Sequence, residues 1–106
     1  MKLLKDLLYG VRLKEVVGNT QIPISNVCYD SREVTDNSLF VAINGTQVDG
    51  HNFIEQAVIS GATAVVCEQI PKNTTAGIQY IVTRDSAMAL SAIASNWYEN
   101  PSQEMT

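Results

Sequence analysis

The sequence predicts an α/β fold, in which a mixed β-sheet flanked by helices forms a single small domain. Short apolar runs, typical of buried strands, alternate with segments whose apolar residues recur at three- and four-residue steps, as on one face of a helix. The chain has 106 residues, enough for one hydrophobic core and too few for two domains. Hydrophobic residues make up 45% of it and charged residues 17%, which indicates a folded domain rather than a disordered segment.

The N-terminal part of the chain predicts one helix and one short strand. Four leucines at helical spacing predict a short helix that ends near Gly10; they are Leu3, Leu4, Leu7 and Leu8. Residues 11–24 have a mixed pattern, although Pro23 between two isoleucines indicates extended backbone. Residues 26–30 predict a short strand.

The middle of the chain predicts a central strand followed by a helix. The run from Ser38 to Ile43 is apolar on both faces, as in a strand that is covered on both sides. After a glycine-containing loop, a helix is expected from Asn52, its N-cap, to a stop at Gly61. Its inner face is expected to carry Phe53, Ile54, Ala57 and Val58.

Two further strands and a long helix are expected in the last part of the chain. The strands span residues 64–67 and 79–83. Asp85 is expected to cap the helix, which ends at Asn100-Pro101. The apolar residues that recur along this helix are Leu90, Ile93, Ala94, Trp97 and Tyr98. Trp97 and Tyr98 are expected to pack on the sheet rather than to stack on a base or sugar.

Charge and hydropathy exclude two kinds of partner. Seven Lys and Arg against eleven Asp and Glu give a net charge of −4, which argues against a nucleic-acid partner. No apolar run reaches the ~18–20 residues that cross a bilayer, so no membrane partner is expected. Charged residues interrupt the opening apolar run, as a signal peptide would not allow, and a cytoplasmic location is therefore expected.

The cysteine and histidine content bounds the chemistry further. Cys28 and Cys67 are the only cysteines, and both stand in apolar surroundings, which predicts buried thiols on strands rather than a disulfide or a redox pair. His51 is the only histidine, so the sequence predicts no zinc site built from Cys and His.

Polar residues at predicted strand ends are the candidate ligand contacts, because open α/β sheets bind ligands there. The loop from Gly45 to Gly50 has the spacing G-x-x-x-x-G, but His51 and Asn52 follow where a nucleotide-triphosphate loop needs Lys and Ser or Thr. ATP hydrolysis at this loop is therefore not expected. Its backbone N–H groups suit an anionic or carbonyl ligand group. On this pattern alone, however, an ordinary strand-to-helix turn that needs two glycines for its backbone angles is the favoured interpretation.

The sequence around Asp30 has two interpretations. Asp30, Ser31 and His51 lack the G-x-S-x-G context of a hydrolase, so a catalytic triad is not supported. Asp30 and Ser31 form local turn hydrogen bonds while Arg32 pairs with a carboxylate, or Ser31 donates its hydroxyl to a ligand.

Several motifs in a fixed order match one known family. They are Asp30-Ser31-Arg32-Glu33-Val34, Ser38-Leu39-Phe40-Val41-Ala42-Ile43-Asn44-Gly45, Asp49-Gly50-His51-Asn52-Phe53-Ile54, Gln56-Ala57-Val58 and Gly61-Ala62-Thr63-Ala64-Val65-Val66. Over roughly residues 25–102, the chain resembles the N-terminal domain of the Mur ligases. The ending Trp97-Tyr98-Glu99-Asn100-Pro101-Ser102 is more similar to the branch that adds the third amino acid (MurE type) than to the branch that adds D-alanyl-D-alanine (MurF type).

The resemblance implies a UDP-substrate-binding N-terminal domain over residues 1–106. Its partner would be UDP-N-acetylmuramoyl-L-alanyl-D-glutamate, to which a full-length enzyme adds meso-diaminopimelate or L-lysine with ATP and Mg²⁺. The substrate contacts carried over from the family are Tyr29, Ser31, Thr46, Gln47 and Val48, with Asp49, Gly50 and His51 supporting the loop. No catalytic residue, metal ligand or cofactor is expected in this part, and the oligomeric state stays open.

Two departures from the family pattern affect these expectations. Asn37 stands where members often carry glycine, and we expect it to keep the left-handed turn. The chain stops where the family's ATP-binding loop should begin, so the central and C-terminal domains are absent and this part alone should be inactive. The alternatives are a MurF-type N-terminal domain and a stand-alone, non-catalytic binding module.

Overall fold

The computed structural model describes residues 2–43, 53–72 and 74–98, which form an α/β domain with seven strands and three helices in the described ranges. The strands are β1 (Lys2–Leu3), β2 (Leu13–Val17), β3 (Pro23–Ile24), β4 (Asn26–Cys28), β5 (Ser38–Val41), β6 (Ala62–Cys67) and β7 (Gln79–Thr83). The helices are α1 (Leu4–Leu7), α2 (Ile54–Ser60) and α3 (Ser86–Tyr98), and a 3₁₀ turn spans Ser31–Glu33.

The main sheet has five strands in the order β2-β7-β6-β5-β4. Strands β4 to β7 are parallel, and β2 pairs antiparallel with β7 at one side. Strands β1 and β3 form a separate antiparallel pair. Because the four parallel strands run the same way, their ends line one rim of the sheet, which we call the carboxyl edge. The start of the antiparallel β2 lies on the same edge.

The two faces of the sheet bury two separate clusters of apolar side chains. On β5, Leu39 and Val41 belong to the cluster covered by α1 and α3, whereas Phe40, together with Ala42 just after the strand, belongs to the cluster covered by α2. Alternation along a strand places successive side chains on opposite faces. The expectation of a central strand covered on both sides is therefore confirmed, although the strand ends at Val41.

The first helix is shorter than the spacing of its leucines predicts. Three of them, Leu4, Leu7 and Leu8, are buried, whereas Leu3 belongs to β1. Gly10 follows with a φ of 81°, a backbone conformation that suits glycine.

Helix α2 confirms the predicted stop and corrects the predicted start. Ile54 and Ala57 are buried on its inner face, and Gly61 ends it with a φ of 127°. Asn52, the predicted cap, lies outside the described residues. Phe53 was wrongly assigned to the inner face: it occupies the cap position before the helix, and its side chain is exposed.

Asn37 adopts the left-handed backbone expected of it, with a φ of 65°. Its N–H donates to the Gly61 carbonyl oxygen at 3.0 Å, and its own carbonyl oxygen accepts from the Ser25 N–H at 2.9 Å. A Cβ at Gly61 would lie 2.9 Å from both Asp36 Oδ1 and the Thr35 carbonyl oxygen, so only glycine fits. These contacts hold the residues just before β4, β5 and β6 close together.

Helix α3 confirms the predicted cap and corrects one aromatic residue. Asp85 Oδ1 accepts a hydrogen bond from the Met88 N–H at 3.1 Å. Ile93 is buried and Trp97 packs against the same cluster, but Tyr98 is 83% exposed, so its predicted packing on the sheet was wrong. At 3.6 residues per turn, Tyr98 lies roughly 140° around the helix from Ile93, which turns it towards solvent.

Strand β2 was not predicted from the sequence. It lies at the side of the sheet, and four of its five residues are exposed. An edge strand with so little burial needs no alternation of apolar and polar residues, which is the signal that identifies strands from sequence.

Both cysteines are buried and free, as expected from their apolar surroundings. Burial is the main cause that raises the pKa of Cys28 and of Cys67, in each case to about 11. Among the residues described, no helix is both long and apolar enough to span a membrane.

Candidate ligand site at the carboxyl edge

The predicted contacts Tyr29 and Ser31 lie directly after β4, at the carboxyl edge. Tyr29 is 64% exposed, whereas Ser31 is only 7% exposed. The chain leaves the sheet at Cys28 and enters the 3₁₀ turn at Ser31, so the two side chains stand at the end of a strand that is fixed by its pairing with β5.

Asp30 fixes this turn through its carboxylate. Its Oδ1 accepts from the backbone N–H of Arg32 at 2.9 Å, which caps the 3₁₀ turn. The Arg32 guanidinium donates to the same carboxylate, from Nε to Oδ1 at 3.1 Å and from Nη2 to Oδ2 at 2.8 Å. The local interpretation of Asp30 and Arg32 is thereby confirmed.

The Asp30–Arg32 pair sets the electrostatics of the turn. The side-chain hydrogen bond from Arg32 is the largest cause that lowers the pKa of Asp30, followed by the backbone hydrogen bond from the same residue. The same side-chain contact raises the pKa of Arg32. The Arg32 side chain is 84% exposed in this pair, so the ion pair is screened by solvent and contributes little to stability.

Ser31 is held in place by its backbone rather than by its hydroxyl. Its carbonyl oxygen accepts from the Val34 N–H at 3.4 Å. Asn26 Nδ2 donates to the Glu33 carbonyl oxygen at 3.4 Å, and α2 packs against the turn from its other side. Within the part of the chain that the structure describes, the Ser31 hydroxyl makes no hydrogen bond.

The rest of the predicted site lies outside the described residues. This applies to the predicted contacts Thr46, Gln47 and Val48, and to the predicted loop supports Asp49, Gly50 and His51. Only the two ends of this segment are described: Ile43 follows β5, and Phe53 precedes α2. Since β5 pairs with β4, the chain enters the segment on the strand next to Tyr29.

One further contact at this edge was not singled out from the sequence. Glu68 follows β6, and its Oε2 accepts from both the backbone N–H and the hydroxyl of Ser86, at 2.9 and 3.0 Å. It therefore ties the start of α3 to the middle of the sheet. A glutamate directly after a run of apolar strand residues is the sequence signal that would have identified this contact.

No group of three His, Cys, Asp or Glu side chains capable of holding a metal ion occurs among residues 2–43, 53–72 and 74–98. The two thiols face the α2 cluster and are protonated at neutral pH. Directly after β4, the predicted contacts Ser31 and Tyr29 offer a hydroxyl and an aromatic group.

Together, the parallel strands define a small α/β domain with polar groups at the strand ends, which is where α/β sheets commonly bind ligands. A family model described as "Mur ligase family, catalytic domain" matches residues 23–98, well over half of the chain. The chain belongs to the Mur ligase family, and the resemblance stated from its motifs is confirmed.

Curated relatives carry a more particular name. The UDP-N-acetylmuramoyl-L-alanyl-D-glutamate–2,6-diaminopimelate ligase of Cytophaga hutchinsonii is 46% identical over 103 residues, which are 96% of this chain and 21% of that protein. The ligase of the same name from Bacteroides thetaiotaomicron is 44% identical, again over 96% of this chain and 21% of its own length. The chain thus spans about a fifth of the length of the curated relatives it matches.

Solved structures share the fold. A structure of MurF from Acinetobacter baumannii has a TM-score of 0.75 at 24% identity, covering 89% of this chain and 20% of that one. MurF ligase from Thermotoga maritima, in complex with ADP, has a TM-score of 0.56 at 30% identity, covering 65% of this chain and 16% of that one.

Proposed function

We propose that this chain is the N-terminal, substrate-binding domain of a MurE-type ligase. Its role would be to hold the UDP end of UDP-N-acetylmuramoyl-L-alanyl-D-glutamate. The observation that carries the proposal is the identity of 41–46%, across nearly the whole chain, with several ligases whose names contain that substrate.

Sequence identity favours the MurE type over the MurF type. The MurF structures from Acinetobacter baumannii are 24–26% identical to this chain, well below the ligases named for diaminopimelate. The names of those ligases also favour diaminopimelate over lysine as the amino acid added by the full-length protein.

The geometry after β4 supports a contact with the UDP group. The Ser31 hydroxyl stands at the carboxyl edge on a backbone that Asp30 fixes, so it reaches a ligand without first giving up a known partner. Tyr29 offers an exposed aromatic face of the kind that packs against a base or a sugar.

The negative charge of the chain bears on how a pyrophosphate is held. The net charge is −4, and Arg32 is already bound to Asp30. We therefore assign the pyrophosphate to backbone N–H groups of the loop containing Thr46, Gln47 and Val48, with Asp49, Gly50 and His51 fixing that loop.

The chemical step belongs to the remainder of the full-length protein. There, ATP and Mg²⁺ would convert the D-glutamate carboxylate to an acyl phosphate, and the incoming amine would displace phosphate to form the amide. The residues of this chain bind and orient the far end of the substrate. The 106-residue chain alone is expected to be inactive as a ligase.

Titration of the ¹⁵N-labelled chain with UDP-N-acetylmuramoyl-L-alanyl-D-glutamate tests this proposal. We expect saturable amide shifts at residues 29–32 and in the loop at 46–48. Ser31→Ala should weaken binding about tenfold or more, because it removes one hydrogen bond to a polar or charged ligand group. Absence of shifts at millimolar ligand, or an unchanged affinity in Ser31→Ala, would contradict the proposed site.

Two controls sharpen the experiment. Ser91→Ala changes an exposed serine on α3, away from the proposed site, and should leave the affinity unchanged. Assays of the full-length protein with diaminopimelate or D-alanyl-D-alanine as the added group separate a MurE-type from a MurF-type enzyme. A stand-alone module would bind the nucleotide and form neither product.

A further inference from the structure

A second cleft lies at the other end of the carboxyl edge, beside β2 and β7. It has a volume of about 350 Å³ and runs between the segment before β2 and the first turns of α3. Small-molecule sites fall in the range of roughly 300–1,000 Å³. The cleft is lined by Gly10, Val11, Arg12, Arg84, Asp85, Met88, Ala89 and Ala92.

Two arginines, Arg12 and Arg84, line this cleft. The antiparallel register pairs Leu13 with Thr83, so the next positions outward are Arg12 and Arg84. Like charges at opposing positions of neighbouring strands destabilise each other. In the part of the chain that the structure describes, the only ion pair is that between Asp30 and Arg32, so neither of these two arginines has a carboxylate partner there.

Two acidic groups near the cleft bond to the start of α3, and each keeps its negative charge. Asp85 also lines the cleft, but its Oδ1 accepts the Met88 N–H as the helix cap. Glu68, on the neighbouring strand end, bonds to Ser86 through Oε2. Two arginines against the single carboxylate of Asp85 leave the lining of the cleft with a net positive charge. Such a lining suits an oxyanion, which arginine binds through parallel N–H···O bonds.

The remaining lining is apolar. Met88 is 72% exposed, which is unusual for so large an apolar side chain, and Val11, Ala89 and Ala92 continue the same surface. Eight residues line the cleft, far fewer than the roughly 20–30 that each partner contributes to a stable protein interface. A small molecule fits these dimensions better than a second protein.

We propose that this cleft binds a small organic anion with a compact apolar body. The apolar body would lie against Val11 and Met88, and a carboxylate or phosphate head would be held between Arg12 and Arg84. Three strand spacings, about 14 Å, separate β7 from β4, so this site is distinct from the one proposed for UDP. It does not depend on the function proposed above.

Amide shifts of the ¹⁵N-labelled chain test the proposal with four probes. The anions are 4-phenylbutyrate and phenyl phosphate; the controls are 4-phenylbutanol, which lacks the charge, and inorganic phosphate, which lacks the apolar body. We expect saturable shifts at residues 10–12 and 84–92 with at least one of the two anions. The better of the two identifies the head group. Both controls should bind at least about tenfold more weakly.

The result that overturns the proposal is equally specific. If neither anion gives saturable shifts, or if 4-phenylbutanol binds as tightly as 4-phenylbutyrate and phenyl phosphate, the arginines do not form an anion site. Arg12→Gln and Arg84→Gln should each weaken binding of the better anion about fivefold or more. Lys14→Gln removes an exposed cation of β2 that does not line the cleft, and it should change nothing.

The same variants keep the two proposals separable. Arg12→Gln and Arg84→Gln should leave the UDP-substrate titration unchanged, and Ser31→Ala should leave the anion titration unchanged. Loss of UDP binding in the arginine variants would show one shared site and would overturn the second cleft as a separate one.

Discussion

The two ends of the carboxyl edge differ in whether their arginine side chains are paired with a carboxylate. After β4, Arg32 and Asp30 satisfy each other and hold the turn that carries Ser31. Beside β7, Arg12 and Arg84 line one cleft and have no ion-pair partner among the described residues. The first end is organised by its own hydrogen bonds before a ligand arrives, whereas at the second end the proposed anion would supply the counter-charge.

The largest expected effect comes from the strand that supports the first end. Phe40 is buried on β5, and the strand register places it beside Cys28 on one side and Val65 on the other. Phe40→Ala should lower the free energy of unfolding by about 3–5 kcal/mol, because it leaves a cavity in the α2 cluster. At roughly 4–8 °C per kcal/mol, thermal unfolding followed by circular dichroism should show a drop in Tm of more than about 10 °C.

The control for that variant lies on the opposite side of the sheet. Tyr98→Ala removes an exposed ring, and it should change the free energy of unfolding by no more than about 0.5 kcal/mol. A drop comparable to that of Phe40→Ala would show that Tyr98 packs after all. Phe40 pairs with Cys28 at the end of β4, so Phe40→Ala should also weaken the UDP-substrate titration.

A smaller effect, in the opposite direction, is expected at the second end. Thr83 is only 2% exposed, and its Oγ1 has no hydrogen-bond partner in the described part of the chain. Thr83→Val keeps the shape and removes the unsatisfied hydroxyl, so it should raise the free energy of unfolding by about 1 kcal/mol in urea denaturation. Thr83→Ser, which keeps the hydroxyl and loses the methyl group, should lower it by about 1 kcal/mol. A destabilised Thr83→Val would show that this hydroxyl is bonded in solution.

The smallest effect concerns the ion pair at the first end. Arg32 holds the pKa of Asp30 below its ordinary value of 3.8. A carboxyl group with a lowered pKa in the folded state favours folding at pH values above its unfolded pKa, and that contribution is lost as the pH falls through the folded pKa. Arg32→Gln should therefore move the pKa of Asp30 back up towards 3.8, as followed by carboxyl ¹³C shifts between pH 2 and 6.

A variant with the same change in net charge at a distant lysine is the control for that experiment. Lys72→Gln alters the net charge by the same amount, but Lys72 is not among the groups that shift Asp30. It should leave the titration of Asp30 in place. An equal shift in both variants would mean that Arg32 acts through the net charge of the chain rather than through its direct hydrogen bonds.

Local signals in the sequence predicted much of the fold. Strand β7 has the bounds expected from its apolar run, Asp85 caps α3, and Asn37 and Gly61 take the positive φ angles expected of them. Each of these depends on residues within a few positions along the chain. Strand β2 was not predicted, because its residues are mostly exposed. The orientation of Tyr98 was predicted wrongly, because it depends on where α3 meets the sheet.

The two candidate sites also differ in how far apart their residues lie in the sequence. The turn at Asp30 and Ser31 was recognisable because the motif is continuous in sequence. The cleft was not, because Arg12 and Arg84 lie near opposite ends of the chain and only the antiparallel pairing of β2 with β7 brings them together. The partner of Glu68 was hidden for the same reason, since Ser86 is reached only through the packing of α3.

The two buried thiols allow opening of the α2 face of the sheet to be followed by chemical modification. With a pKa of about 11, each thiol is ionised in roughly one molecule in ten thousand at pH 7, and the thiolate is the form that alkylating reagents attack. Because both side chains are also buried, alkylation of the native chain should proceed through opening of the sheet. Cys28 lies on the outermost parallel strand and Cys67 on an inner one, so the ratio of their modification rates measures whether the sheet frays from β4 before it unfolds as a whole.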